Sequence, residues 1–121
     1  MFTATKDAEI KLTELAESIE HEATHWRVLH FHFSQLQEHY RSNYQIKIAV
    51  NLIMDLMREN QGGIFVLGDF TLIVAAKAVT KVQLDKVIFQ LRYLFADDPL
   101  AYGIEGEENP AFCDIFDLKT Y

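Results

Sequence analysis

Cysteine occurs once in this chain of 121 residues, at Cys113, which excludes an intrachain disulfide and gives no sign of an oxidising compartment. Long apolar runs are absent too. None approaches the roughly 20 residues that a membrane-spanning helix needs, so no membrane partner is expected. Positive charge is scarce, with 11 Lys and Arg against 18 Asp and Glu and a formal net charge of −7. The cations are scattered rather than clustered, and an acidic surface repels phosphate backbones, so no nucleic-acid partner is expected. The first ten residues mix charge and apolar character without the order of a secretion signal. A cytoplasmic protein is the expectation. No internal repeat and no low-complexity tract interrupt the chain.

What is present is apolar residues, at 50% of the chain, enough for one domain with a real core. Thr5 or Asp7 caps a first helix running to about His21, with Ala8, Leu12, Leu15 and Ile19 on a narrow apolar stripe. Residues 26–33 are β-branched and aromatic and read as a strand, with Val28, His30 and His32 on one face and Leu29, Phe31 and Phe33 on the other. Residues 35–42 are polar and read as a connection. Residues 44–60 carry Ile46, Ala49, Val50, Ile53, Leu56 and Met57 at helical spacing, with Asn43 as cap and Gly62-Gly63 as terminator. Residues 64–67 and 70–76 form two apolar strands joined at a two-residue Gly68-Asp69 turn. Leu84, Val87, Ile88, Leu91, Leu94 and Phe95 mark another helix, which stops before Asp97-Asp98-Pro99. An acidic loop then leads to a last strand over 112–118.

The chain divides into an N-terminal amphipathic helix, 1–24, and a βαββαβ domain, 25–121. Right-handed crossovers place two helices on one face of a four-stranded antiparallel sheet, an α+β fold of ferredoxin-like or palm-like type. Strands that are apolar on both faces need cover on both faces. The first helix or a second copy of the chain supplies it, and a homodimer is expected, with Leu29, Phe31 and Phe33 as interface candidates.

The element order, together with Gly68-Asp69-Phe70 on the central hairpin between apolar flanks, resembles a GGDEF (diguanylate cyclase-like) domain in degenerate form. Such a cyclase holds two metal ions on carboxylates, one at the end of the first strand and one on the hairpin. Here the first strand ends His30-Phe31-His32-Phe33-Ser34, and Asp69 stands without a second acidic residue. The resemblance thus implies a non-catalytic regulatory or dimerisation domain of a bacterial cytoplasmic signalling protein, with no cofactor and no catalytic residue. An output domain beyond Tyr121 belongs to the same expectation. A small-molecule-binding ferredoxin-like sensor module is the alternative, and a metal-dependent nucleotidyl enzyme using Asp69 and the histidines is a third.

Candidate ligand-binding residues are His30, His32 and Asp69. His30 and His32 share a strand face and could chelate a metal or form a pH-sensitive interface, as imidazole titrates near neutrality. His21 and His25, four apart with Glu22 beside them, offer a similar helical pair. Simple solvent or sheet-face histidines satisfy both patterns, and no metal is expected. Cys113 reads as a small buried hydrophobe, and Ser34 lacks a nucleophile-elbow context. Glu105, Glu107, Glu108 and Asp114 lack calcium-loop spacing and read as a solvated acidic loop.

Overall fold

A computed structural model describes residues 1–19, 25–103 and 105–117. Its elements are β1 (Phe2–Ala4), α1 (Ala8–Ser18), β2 (Trp26–Phe31), α2 (Asn43–Leu56), β3 (Gly62–Val66), β4 (Leu72–Lys77), α3 (Lys81–Leu94) and β5 (Cys113–Asp117). Three helices and a five-stranded mixed sheet make an α+β architecture, with strand order β1-β3-β4-β2-β5. The four strands expected from the sequence are present, and each adjacent pair among them is antiparallel. The expected strand count of four is corrected to five. Phe2–Ala4 adds at the free edge of β3, parallel to it, so the sheet is not wholly antiparallel.

One face of the sheet presents Leu29, Phe31, Ile64, Leu72 and Val74 to the apolar stripes of α2 and α3, and these residues form the main core. Phe33, Phe95 and Phe112 close its end, with Phe33 centred 5.1 Å from Phe95 and 5.6 Å from Phe112 in edge-on contact. The opposite face is covered in part by α1. Ala8, Leu12, Leu15 and Ile19 pack on Ala4, Trp26, Phe65 and Ala75, with Val28 and Ile73 at the margin. The stripe expected on the first helix is therefore what covers this face, although its helix ends at Ser18 and residues 20–24, His21 among them, lie outside the described part.

Leu29, Phe31 and Phe33 are 1%, 0% and 0% exposed. Of the two places expected for them, a partner surface or the core, they occupy the core. Phe33 has also left the strand for a short 3₁₀ turn, Phe33–Gln35, because β5 and its lead-in end the pairing there.

Boundaries moved where a tertiary contact overrides the local pattern. Ser42, not Asn43, caps α2, its hydroxyl accepting from the Gln45 amide at 3.2 Å. The helix stops at Leu56 rather than near residue 60, and Asn60 instead ties two elements together. Its amide donates to the Lys77 carbonyl and its oxygen accepts from Gln83, each at 3.0 Å. Gly62 and Gly63 open β3 instead of terminating the helix. Gly62 has φ 140°, and a Cβ there would lie 1.9 Å from the Ala75 carbonyl oxygen. α3 begins at a full capping box, with Thr80 and Gln83 each bonding the other's backbone. The last strand is Cys113–Asp117, and Leu118 lies outside the described part.

Candidate functional site

The β3–β4 hairpin is not a two-residue turn. Leu67 and Thr71 are bridged by one backbone hydrogen bond, and the Phe70 amide donates to the Leu67 carbonyl at 3.1 Å. Gly68 and Asp69 occupy the centre of that turn, and Phe70 follows in the left-handed region at φ 68°. A turn followed by one left-handed residue is the three-residue hairpin solution, in which glycine usually takes the left-handed place. Here a phenylalanine holds it, a costly conformation for a bulky residue. Gly68 itself keeps an ordinary φ, and a Cβ on it would meet nothing within 4 Å.

Phe70 and Gly68 form one wall of a cleft of about 630 Å³ between the hairpin, the end of β1 and α2. Ile46, Val50 and Val66 make its floor. Asn43, Lys47 and Asn51, spaced four residues apart on α2, form a polar ridge in its lining, with Thr3 of β1 and Thr5 just beyond that strand also lining it. Among the described residues lining it, Lys47 carries the one formal charge. A concave site with an apolar floor and a few convergent polar groups is the usual form of a small-molecule pocket.

Asp69 is engaged by the hairpin itself. Its oxygen accepts from the Thr71 amide at 3.0 Å, closing a local turn. Hydrogen bonds from the Thr71 side chain and amide hold its carboxyl below the ordinary value, and the nearby His30 adds to this. The residue is thus committed first to the hairpin.

His30 and His32 lie together as the strand pattern implies, on the side of β2 away from the main core. Their ring centroids are 4.2 Å apart. β5 brings in what the sequence pattern did not: Asp114 pairs directly opposite His30, and its Oδ2 lies 2.7 Å from His32 Nε2. Burial and the neighbouring His32 lower the pKa of His30, while Asp114 and Asp69 oppose that shift. His25 is exposed, and its suggested partner His21 lies outside the described residues. Burial pushes the Cys113 thiol up to about 12, which agrees with an inert apolar residue rather than a nucleophile.

Two further polar residues, whose burial the sequence did not show, hold the surroundings. Asp98 is 2% exposed, accepting from the Gln37 amide at 2.7 Å and the Leu100 amide at 2.9 Å. Arg92 is 6% exposed; its Nη1 donates to the carbonyls of Ala101 and Asn109, and its guanidinium sits 4.8 Å from the centre of the Phe112 ring. Arg92 Nε is 3.1 Å from Glu108 Oε2, a charge pairing without hydrogen-bond alignment. Both residues pin loops and lie away from the cleft. Comparison with protein-family models, curated proteins and solved structures gives no match to this chain.

Proposed function

We propose that this chain is a non-catalytic regulatory domain of ferredoxin-like, degenerate GGDEF-like type that binds a small anionic molecule in the cleft between α2 and the hairpin. The observation that carries this reading is the polar ridge of Asn43, Lys47 and Asn51 over an apolar floor. Lys47 supplies a point charge for a carboxylate or phosphate, and the asparagines and threonines supply donors for flanking oxygens. Among the described lining residues there is no carboxylate, imidazole or thiol to move a proton, which favours binding over chemistry. Placing the bound molecule against both α2 and the hairpin would couple it to the strained Phe70 backbone, a suitable element for a response.

The test is a thermal-shift screen with nucleotides, cyclic dinucleotides and small dicarboxylates, repeated on Lys47→Ala and Asn51→Ala. A ligand at a hundredfold excess over its Kd adds about 2.7 kcal/mol, a shift of several degrees for a domain of this size. The shift is expected to vanish in Lys47→Ala. No shift with any of these compounds, or a shift that Lys47→Ala retains, rejects the reading.

A second reading, self-association as a signalling dimer, draws on α3. Val82, Phe89 and Tyr93 fall on one line of that helix and are 76%, 63% and 74% exposed. This stripe takes the place of Leu29, Phe31 and Phe33 as the surface for a second copy.

A further inference from the structure

We infer that His30, His32 and Asp114 form a binding site for a single divalent transition-metal ion of borderline softness, such as Zn²⁺. His30 leaves β2 on the face away from the main core, and His32, one residue past the end of that strand, lies beside it with ring centroids 4.2 Å apart. Asp114 is the direct cross-strand partner of His30, and directly paired residues project together from the same face. His32 follows the last strand residue, and its amide donates to the Phe112 carbonyl at 3.1 Å, which keeps it beside β5. Two adjacent strands thus carry His30 and Asp114, and a backbone hydrogen bond holds His32 beside them.

Their ligand atoms lie within 4.8 Å of one another, and His32 Nε2 and Asp114 Oδ2 are already 2.7 Å apart. Bonds of about 2.0–2.2 Å at tetrahedral angles put neighbouring ligand atoms about 3.4 Å apart. Side-chain rotations of about an ångström convert one arrangement into the other. The Asp114 side chain, 53% exposed, and the His32 side chain, 23% exposed, have room to make them. Two imidazoles and a carboxylate suit borderline divalent ions, while magnesium and calcium prefer all-oxygen sets. Three protein ligands leave a coordination position open towards solvent, as in metal sites that bind water or an exogenous group.

The competing account is a plain imidazolium–carboxylate pair between His32 and Asp114. It explains two residues and leaves the third unexplained. Two rings 4.2 Å apart repel one another if both are charged. An ion that takes one lone pair from each removes that conflict. The acidic net charge of −7 further raises the local concentration of cations. This donor set lies on the sheet face shared with α1, so it is independent of the cleft beside α2.

The experiment is calorimetric titration of the chelator-stripped chain with Zn²⁺, and spectroscopic titration with Co²⁺. Wild type is expected to bind one equivalent at this site, with cobalt absorption of a low-coordinate centre. His30→Ala, His32→Ala and Asp114→Asn are each expected to weaken binding by roughly tenfold or more, taking the effect of lost second-sphere groups as a lower bound. The His30→Ala/His32→Ala double variant is expected to lose the cobalt spectrum, while His25→Ala, His39→Ala and Lys47→Ala retain it. Because a variant can lose binding through misfolding, imidazole resonances of the wild type are followed during Zn²⁺ addition. Those of both His30 and His32 should move and saturate together. No saturable binding of either ion, unchanged affinity in the double variant, or movement of only one of the two imidazoles overturns the assignment.

Discussion

Gly62 and Gly68 look alike in the sequence and are opposites in the structure. At Gly62, φ is 140° and the Ala75 carbonyl occupies the place of a Cβ. At Gly68 the backbone is ordinary and the space is empty. Gly62→Ala is therefore expected to destabilise the fold by about 1–3 kcal/mol or more, since backbone strain and a close contact combine. Gly68→Ala is expected to be neutral or to stabilise by up to about 1 kcal/mol through the unfolded chain. Denaturant unfolding of the two variants measures both, and equal effects would contradict the geometry. Legibility at this scale follows the range of the interaction. The shared face of His30 and His32 was visible because a strand has a period of two. Asp114 was not linked to it, because only the register of β2 on β5 makes that contact. Phe70 in the left-handed region left no signal, because Gly68-Asp69 alone read as the turn and Phe70 as the start of the next strand. Asp98 and Arg92 carried charge, and charge in a sequence reads as surface until their backbone partners are known.

Among the elements, α2 and α3 were legible because long apolar periodicity agrees with their tertiary packing, while their caps, Ser42 and Thr80, were not read. β1 was not. Three residues show no period, and their strand identity comes from pairing with β3, far along the chain. The first helix was read correctly as a narrow stripe, and its stripe proves to cover part of the second sheet face. That leaves α3 with the apolar line of Val82, Phe89 and Tyr93 facing outward. A soluble monomer gains nothing from such a line, whereas a symmetric partner would bury it. Sedimentation at micromolar concentration is expected to give a dimer for wild type. Phe89→Glu, a change on an exposed position, should give a folded monomer by the same measurement and by circular dichroism. A wild-type monomer removes this reading.

At the scale of the whole molecule, the histidine patch makes stability depend on pH in the metal-free protein. The folded state lowers the pKa of His30 from its ordinary 6.5. Its neutral form is thus favoured by folding, and the unfolded chain binds the proton first. Stability is complete above the unfolded value and declines as pH falls below about 6.5 towards the lower folded value. The groups facing His30 are His32 on β2, Asp114 on β5 and Asp69 on the hairpin, and the two carboxylates limit the decline. Calorimetric melting in chelator from pH 7.5 to 5 is expected to show a fall in Tm that His30→Asn makes shallower. A Tm that rises on acidification through this range would reverse the sign of the linkage. The Asp69 carboxyl, held low by Thr71, contributes only at more acid pH, where its protonation withdraws a hydrogen bond from the turn.

The strand order also governs how the chain reaches its native state. Among the strands of the described residues, only β3 and β4 are both neighbours in sequence and paired in the sheet. Thr3 must find Ile64, and Val28 must find both Ala75 and Phe116, across long intervening segments. Each such encounter closes a large loop before any burial rewards it, which makes the search slow compared with a helical bundle. The inner strand β2 is synthesised early and has no sheet partner until β4 exists. During that interval Leu29 and Phe31 have no sheet to lie in, and α2 is the nearest surface that can shelter them. The hairpin, as the one local piece of sheet, is the natural template on which β2, then β5 and β1, are laid down.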